Sequence, residues 1–209
     1  LNLKKTSVIG QEIEPILENI INNLDKNNGG FKGAPKFPTF YVFDTLIYFY
    51  NKSKKIEYLK PVELLLKKIC SKGIYDHVEG GISRYATDEN WLIPHFEKML
   101  YDNVQFISLM AKYFKISSDK YFERKIKQSY HFLMNNFISK DSGLLGSAFD
   151  ADSDGIEGKY YVYKYDEIKD IKDINKFFDV KPQGNWEGQI ILEELKEPNK
   201  KVIEDLFKS

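Results

Sequence analysis

Apolar residues recur at three- and four-residue spacing along most of the chain. Between residues 11 and 24, Ile13, Ile16, Leu17, Ile20, Ile21 and Leu24 form one stripe, which predicts an amphipathic helix stopped by Asn27-Asn28-Gly29-Gly30. A second helix is predicted over 39–49, where a high content of Tyr and Phe keeps a strand in competition. Leu59, Val62, Leu65, Leu66 and Ile69 mark a third over 57–69, with Gly73 closing it. The stretch 97–114 is apolar nearly all round, the pattern of an inner helix. Residues 121–137 give a fifth helix, 166–178 a weaker and broken sixth, and 199–207 the start of a seventh.

The connections between these helices alternate in length. Residues 51–56 and 116–120 are short polar links, whereas 27–38, 72–94 and 139–165 are long. In an up-and-down helical array, alternate connections fall at opposite ends. The three long connections are therefore expected to share one rim, where loops on a rigid scaffold carry function. Small hairpins are expected on that rim, one pairing 82–85 with 91–93 and another pairing 144–149 with 159–163. The glycine-rich loop 184–188 follows the sixth helix, where a short link is expected, and so breaks the alternation.

Composition narrows the class. Of 209 residues, 42% are hydrophobic and 30% charged, which excludes a disordered or coiled-coil chain. Lys+Arg and Asp+Glu are equal at 31, so no bulk charge favours nucleic acid or a membrane surface, and no apolar run is long enough to span a bilayer. The single cysteine, Cys70, excludes an internal disulfide and reads as a buried small hydrophobe. A cytoplasmic, reducing location fits that usage. Aromatic residues reach 15%, suited either to a Phe- and Tyr-built core or to a surface that grips flat ligands such as sugars.

Candidate chemistry concentrates in the long connections. Asp76, His77, Glu79, Arg84, Tyr85, Trp91, His95, Glu97 and Asp102 fall in one stretch. His95 follows Pro94 at the predicted start of the fourth helix, where the electropositive helix end would lower an imidazole pKa and poise it for proton transfer. Asp102 lies seven residues on, on the same face. The alternative is that His95, His77 and Asp76 merely cap and cross-link the loop. A second cluster, Asp150-Ala151-Asp152-Ser153-Asp154-Gly155, opens like a calcium-binding loop, but Tyr161 stands where a bidentate Glu should close it. Its acids suit proton transfer or sugar hydroxyls, and an Asx-rich turn is the competing account. Lys36, between Pro35 and Pro38, is placed on the rim. No HExxH or other zinc spacing occurs, and no nucleotide-binding glycine pattern, so neither metal nor cofactor is expected.

Several long motifs carry a resemblance. Gly-Gly-Phe-x-Gly-Ala-Pro-Lys-Phe-Pro at 29–38, Tyr-Asp-His…Gly-Gly…Arg-Tyr at 75–85, Trp-x-x-Pro-His-Phe-Glu-Lys-Met-Leu-Tyr-Asp at 91–102, the Asp-Ala-Asp-Ser loop and Gly-Asn-x-Glu-Gly at 184–188 are similar to those of the YyaL-like, spermatogenesis-associated thioredoxin-domain proteins. The resemblance implies an N-terminal thioredoxin-like domain followed by an (α/α)6 six-hairpin toroid like that of glycosidases and N-acylglucosamine 2-epimerases. Residues 1–209 are then expected to form one partial toroid domain of about three helical hairpins. The thioredoxin-like domain and the second half of the toroid lie outside the sequence.

By analogy of fold, the implied activity is directed at a sugar. His95, Asp76, Asp150 and Asp152 would transfer protons, while Lys36, His77, Arg84, Tyr85, Trp91, Glu97 and Asp102 would bind substrate. A different class remains open: a non-catalytic scaffold that partners a thioredoxin-like domain or the other half of the toroid, or the inactive remnant of a longer gene.

Overall fold

A computed structural model describes residues 13–209, so Gln11, at the predicted start of the first helix, lies outside the described residues. Helix α1 runs Ile13–Asn23, α2 Phe40–Ser53, α3 Ile56–Ser71, α4 Leu100–Ser117 and α5 Lys120–Phe132. A π-helical turn, Leu133–Phe137, extends α5 to the predicted end of the fifth helix. The weak sixth helix is two single turns, α6 Tyr165–Ile168 and α7 Ile174–Phe177, and α8 covers Lys200–Leu206. Polar caps fix two of the starts. The Asp119 carboxylate accepts the Tyr121 N–H at 3.0 Å, and the Asn199 side chain accepts that of Val202 at 3.0 Å.

Helices α2 and α4 lie side by side, each backed by the helix that follows it. The main core joins them through fully buried Phe43, Leu46, Val62, Leu65, Leu66, Ile69, Phe106, Met110 and Phe122. Cys70 is enclosed among these side chains, as its apolar surroundings in the sequence suggest, and burial pushes its thiol up to about 12. A second core gathers Ile168, Ile174, Phe178, Val180, Ile190, Leu192, Val202 and Leu206 at the C-terminal end. Helix α4 is not enclosed all round as its composition predicts. Tyr101 and Val104 stay about half exposed, and on α2 Tyr41 and Tyr48 are more than half exposed, so both helices keep one open face that carries a tyrosine.

Extended structure is sparse: strand β1 (Lys98–Met99) pairs antiparallel with β2 (Ala148–Phe149), and β3 (Asp152–Ser153) with β4 (Ile156–Glu157). Neither predicted hairpin has its expected partners. Tyr75 bridges Ile82, while Ala86 bridges both Lys36 and Pro94; the 144–149 segment pairs with 98–99 instead of 159–163. Chain direction explains the second difference, because Asp154-Gly155, both at positive φ, reverse the chain locally and consume the acidic loop in its own turn. Among the described residues no helix is long and apolar enough to cross a membrane.

Candidate functional site

The three long connections meet. Lys36 and Ala86 exchange backbone hydrogen bonds at 2.7 and 3.0 Å, which ties the first connection to the second. The register Lys98↔Phe149 ties the second to the third and brings the chain around Asp150 next to that around Glu97. The 184–188 loop also packs here. Asn185 exchanges two 2.8 Å hydrogen bonds with the Ile191 backbone, and Trp186 lies 5.2 Å from the Phe96 ring, within a small cluster that includes Ala151 and Tyr161.

Where these segments converge, a polar mouth forms. Tyr85 stacks between Phe37 at 4.7 Å and His95 at 4.5 Å. Arg84 reaches the Glu97 carboxylate at 3.2 Å, and its backbone N–H donates to the Glu97 carbonyl at 2.8 Å. Asp102 sits in the first turn of α4 behind this pair. Burial, with help from Glu97 and against Arg84, pushes its carboxyl up to about 6. Two atoms here, His95 Nδ1 and Asp102 Oδ2, are buried without a hydrogen-bond partner. Such atoms cost stability, and their persistence at one surface marks a place poised to meet a ligand.

The electrostatic setting of His95 differs from the sequence expectation. Helix α4 begins at Leu100, six residues after Pro94 and three after the predicted start at 97, and the backbone turns at Phe96 with φ of 64°. His95 therefore lies in an extended segment and receives nothing from a helix end; Asp102 occupies that position instead. Proline sets a rigid φ but cannot distinguish a helix start from a strand that precedes one.

Four other predicted site residues are absorbed by the fold. The Lys36 ammonium is 2.6 Å from Asp25, with the pair nearly buried, and lies over the Trp91 ring at 5.5 Å. Burial alone would raise the Asp25 carboxyl, but Lys36 and the N–H groups of Asn27 and Asn28 together hold it at about 2. Trp91 is fully buried, donates to the Asn28 carbonyl at 2.8 Å and packs flat against Gly30; a Cβ there would approach the indole to 2.7 Å. Asp76 accepts from Lys98 at 2.7 Å and from the N–H groups of Val78 and Glu79 at 2.9 and 3.0 Å, so most of its acceptor capacity is committed to the fold. His77 is enclosed, with Nε2 at 3.1 Å from the Lys72 carbonyl and Nδ1 3.5 Å from both Lys125 and Glu194. Burial and Lys125 keep it neutral. Asp150 and Asp152 are exposed, the latter in the β3–β4 hairpin, and among the described residues no group of three or more His, Cys, Asp or Glu is placed to hold a metal ion.

Reasoning from sequence missed Lys98, Lys125, Glu194 and Asn103, four buried polar residues on which these segments are pinned. Asn103 holds both the N–H and C=O of Ile82, at 2.8 and 3.0 Å. For Asn103 on α4 and Lys125 on α5, a polar residue on an apolar helix face was the available signal; Lys98 and Glu194 lie outside the helices and offered none.

No family model matches the chain. Over 157 residues, 70% of the chain, it is 36% identical to spermatogenesis-associated protein 20 of Rattus norvegicus and 34% identical to that of Homo sapiens. It is 32% identical over 189 residues to the uncharacterized protein B0495.5 of Caenorhabditis elegans. The chain spans only about a fifth to a quarter of these relatives, 20% of the first two and 26% of the last. Among solved structures it is similar to a cellobiose 2-epimerase from Bacillus thermoamylovorans, with TM-score 0.58 and 16% identity over 69% of this chain and 42% of that one. A sugar epimerase from a ruminal bacterium gives 0.56 and 20% over 67% and 40%, and the GH76A alpha-1,6-mannanase of Salegentibacter 0.54 and 19% over 72% and 41%. At such identities the likeness concerns the fold. The chain is thus a homologue of spermatogenesis-associated protein 20 whose helices form part of an (α/α)6 toroid.

Proposed function

We propose that the mouth of this partial toroid is a proton-transfer site for a sugar, with His95 and Asp102 as the transferring groups. The observation that carries the reading is the pair of buried, unpartnered atoms, His95 Nδ1 and Asp102 Oδ2, beside the Arg84–Glu97 ion pair. The Asp102 carboxyl, pushed up to about 6, changes protonation near neutral pH, as one member of an acid–base pair must. Arg84 orients a sugar oxygen through its guanidinium while Glu97 fixes the Arg84 side chain. The Phe37–Tyr85–His95 stack offers a ring face, and the exposed Tyr101 edge a hydroxyl.

One imidazole and one protonatable carboxyl suit proton removal and return at a carbon beside a carbonyl. Glycoside hydrolysis instead takes two carboxyls flanking the scissile bond, and Asp150 and Asp152 stand exposed. The reaction class favoured is therefore epimerisation of a reducing sugar. The test is deuterium exchange at C2 of reducing mono- and disaccharides in heavy water, catalysed by the full-length protein. His95→Ala and Asp102→Asn should each slow exchange by roughly 100-fold or more. Exchange untouched by both substitutions removes the catalytic reading and leaves the mouth as the surface of a binding scaffold.

A further inference from the structure

A cavity of about 500 Å3 opens between residues 73–83, residues 156–164 and the C-terminal segment, and none of Arg84, Tyr85, His95, Glu97 or Asp102 lines it. That volume suits a ligand of one or two sugar rings. Its innermost charges cancel. Lys98 lies 2.7 Å from Asp76 and 3.1 Å from the Gly80 carbonyl, with its ammonium over the Phe132 and Tyr161 rings at 4.1 and 4.7 Å. Lys159, at the edge, is paired with Asp154 at 2.8 Å. Further out, Lys164 and Glu167 lie one helical turn apart, the Glu167 carboxylate accepting the Lys164 N–H at 2.7 Å.

What remains to meet a ligand is three phenols and one carboxyl. Burial pushes the Tyr160 phenol up to about 12 and holds those of Tyr161 and Tyr163 higher still, so each is a hydroxyl that both donates and accepts. Glu79 is half-buried, and burial together with Asp76 raises its carboxyl. Tyr161 has its faces occupied by Phe96 and Lys98, whereas Tyr160 is more than half exposed and offers its ring. An anionic ligand would find no uncommitted cation in the depth of the cavity, where Lys98 is paired; a polyhydroxylated one would find several donors and acceptors and an aromatic face.

We propose that this cavity is a second ligand site, separate from the mouth, for a neutral saccharide of one or two rings held by Glu79, Tyr160, Tyr161 and Tyr163. It stands independently of the chemistry assigned to the mouth. The test is an amide-resolved NMR titration of the 209-residue chain with cellobiose, with glucuronate and glucosamine as anionic and cationic comparators. Cellobiose should shift the amides of residues 78–80 and 158–164, and Glu79→Gln and Tyr160→Phe, checked for native melting, should each weaken its Kd by about tenfold, as loss of one hydrogen bond in a part-buried site implies. Shifts confined to residues 84–102, tighter binding of either charged comparator, or no shift at 158–164 with any of the three would each overturn the proposal.

Discussion

At the scale of single residues, Asp102 separates function from stability most sharply. Its carboxyl is pushed from 3.8 up to about 6, so the folded state binds the proton more tightly than the unfolded one. The sign follows directly. The ionised carboxylate costs stability above pH 6, and the cost fades as pH falls through 6 toward 3.8. Asp102→Asn removes it, and at pH 7.5 should stabilise the chain by about 1 kcal/mol once solvent screening of this part-exposed group is allowed for. A higher Tm accompanied by lost proton exchange is the expected signature, since active-site groups are kept at a cost to stability. A lower Tm would show the carboxylate to be structural. Sequence reasoning found the right stretch here but not the sorting within it. Local pattern carries residue type and spacing; it does not carry which of Lys36, Asp76, His77 and Trp91 turn inward. Those four are enclosed by partners 11 to 117 positions away in the chain, from Asp25 for Lys36 to Glu194 for His77.

At the scale of elements, helix periodicity was legible because the apolar stripes of α1, α3 and α5 each pack on a single core, and their predicted ranges differ from the observed ones by a few residues. Strand pairing was not, because two-residue strands leave no period to read and their partners lie far apart, as with 98–99 and 148–149. Asn103 shows how one side chain substitutes for a missing sheet. Its amide bonds the Ile82 N–H and C=O as a neighbouring strand would, and also the Met99 carbonyl at 2.9 Å, so it fastens the second connection to α4. Asn103→Leu keeps the branched heavy-atom shape but orphans two buried backbone groups of Ile82. A loss of about 2–4 kcal/mol is expected in urea unfolding, against near neutrality if the Ile82 groups were already open to water.

At the scale of the whole molecule, the helical core and the C-terminal core are joined at a charged seam. Glu194 bonds Lys125 at 2.8 Å and Arg124 at 3.2 Å on α5, and faces His77 at 3.5 Å; Arg124 also reaches Glu197 at 2.7 Å. Tyr121 and the rings of Tyr75 and Phe178 close the seam. Burial alone would raise the Glu194 carboxyl, but the Lys125 ammonium bonded to it outweighs burial and holds it at about 2, while burial and Lys125 keep His77 neutral. Both shifts act in one direction. Below pH 6.5 the unfolded chain takes up a proton on His77 that the folded chain refuses, and below 4.5 it takes up another on Glu194. The share of the seam's stability that His77 and Glu194 carry is therefore whole above pH 6.5, declines from there, and is lost as pH falls from 4.5 toward 2. Hydrogen exchange at pH 4 should accordingly show α5, residues 190–194 and α8 losing protection before α2 and α3, whose contacts are apolar. Glu194→Ala, which strands the buried Lys125, should cost roughly 3–5 kcal/mol at pH 7 and flatten the acid limb. Simultaneous loss of protection across both cores, with the limb unchanged in the variant, would mean that the seam bears no special share of the joining.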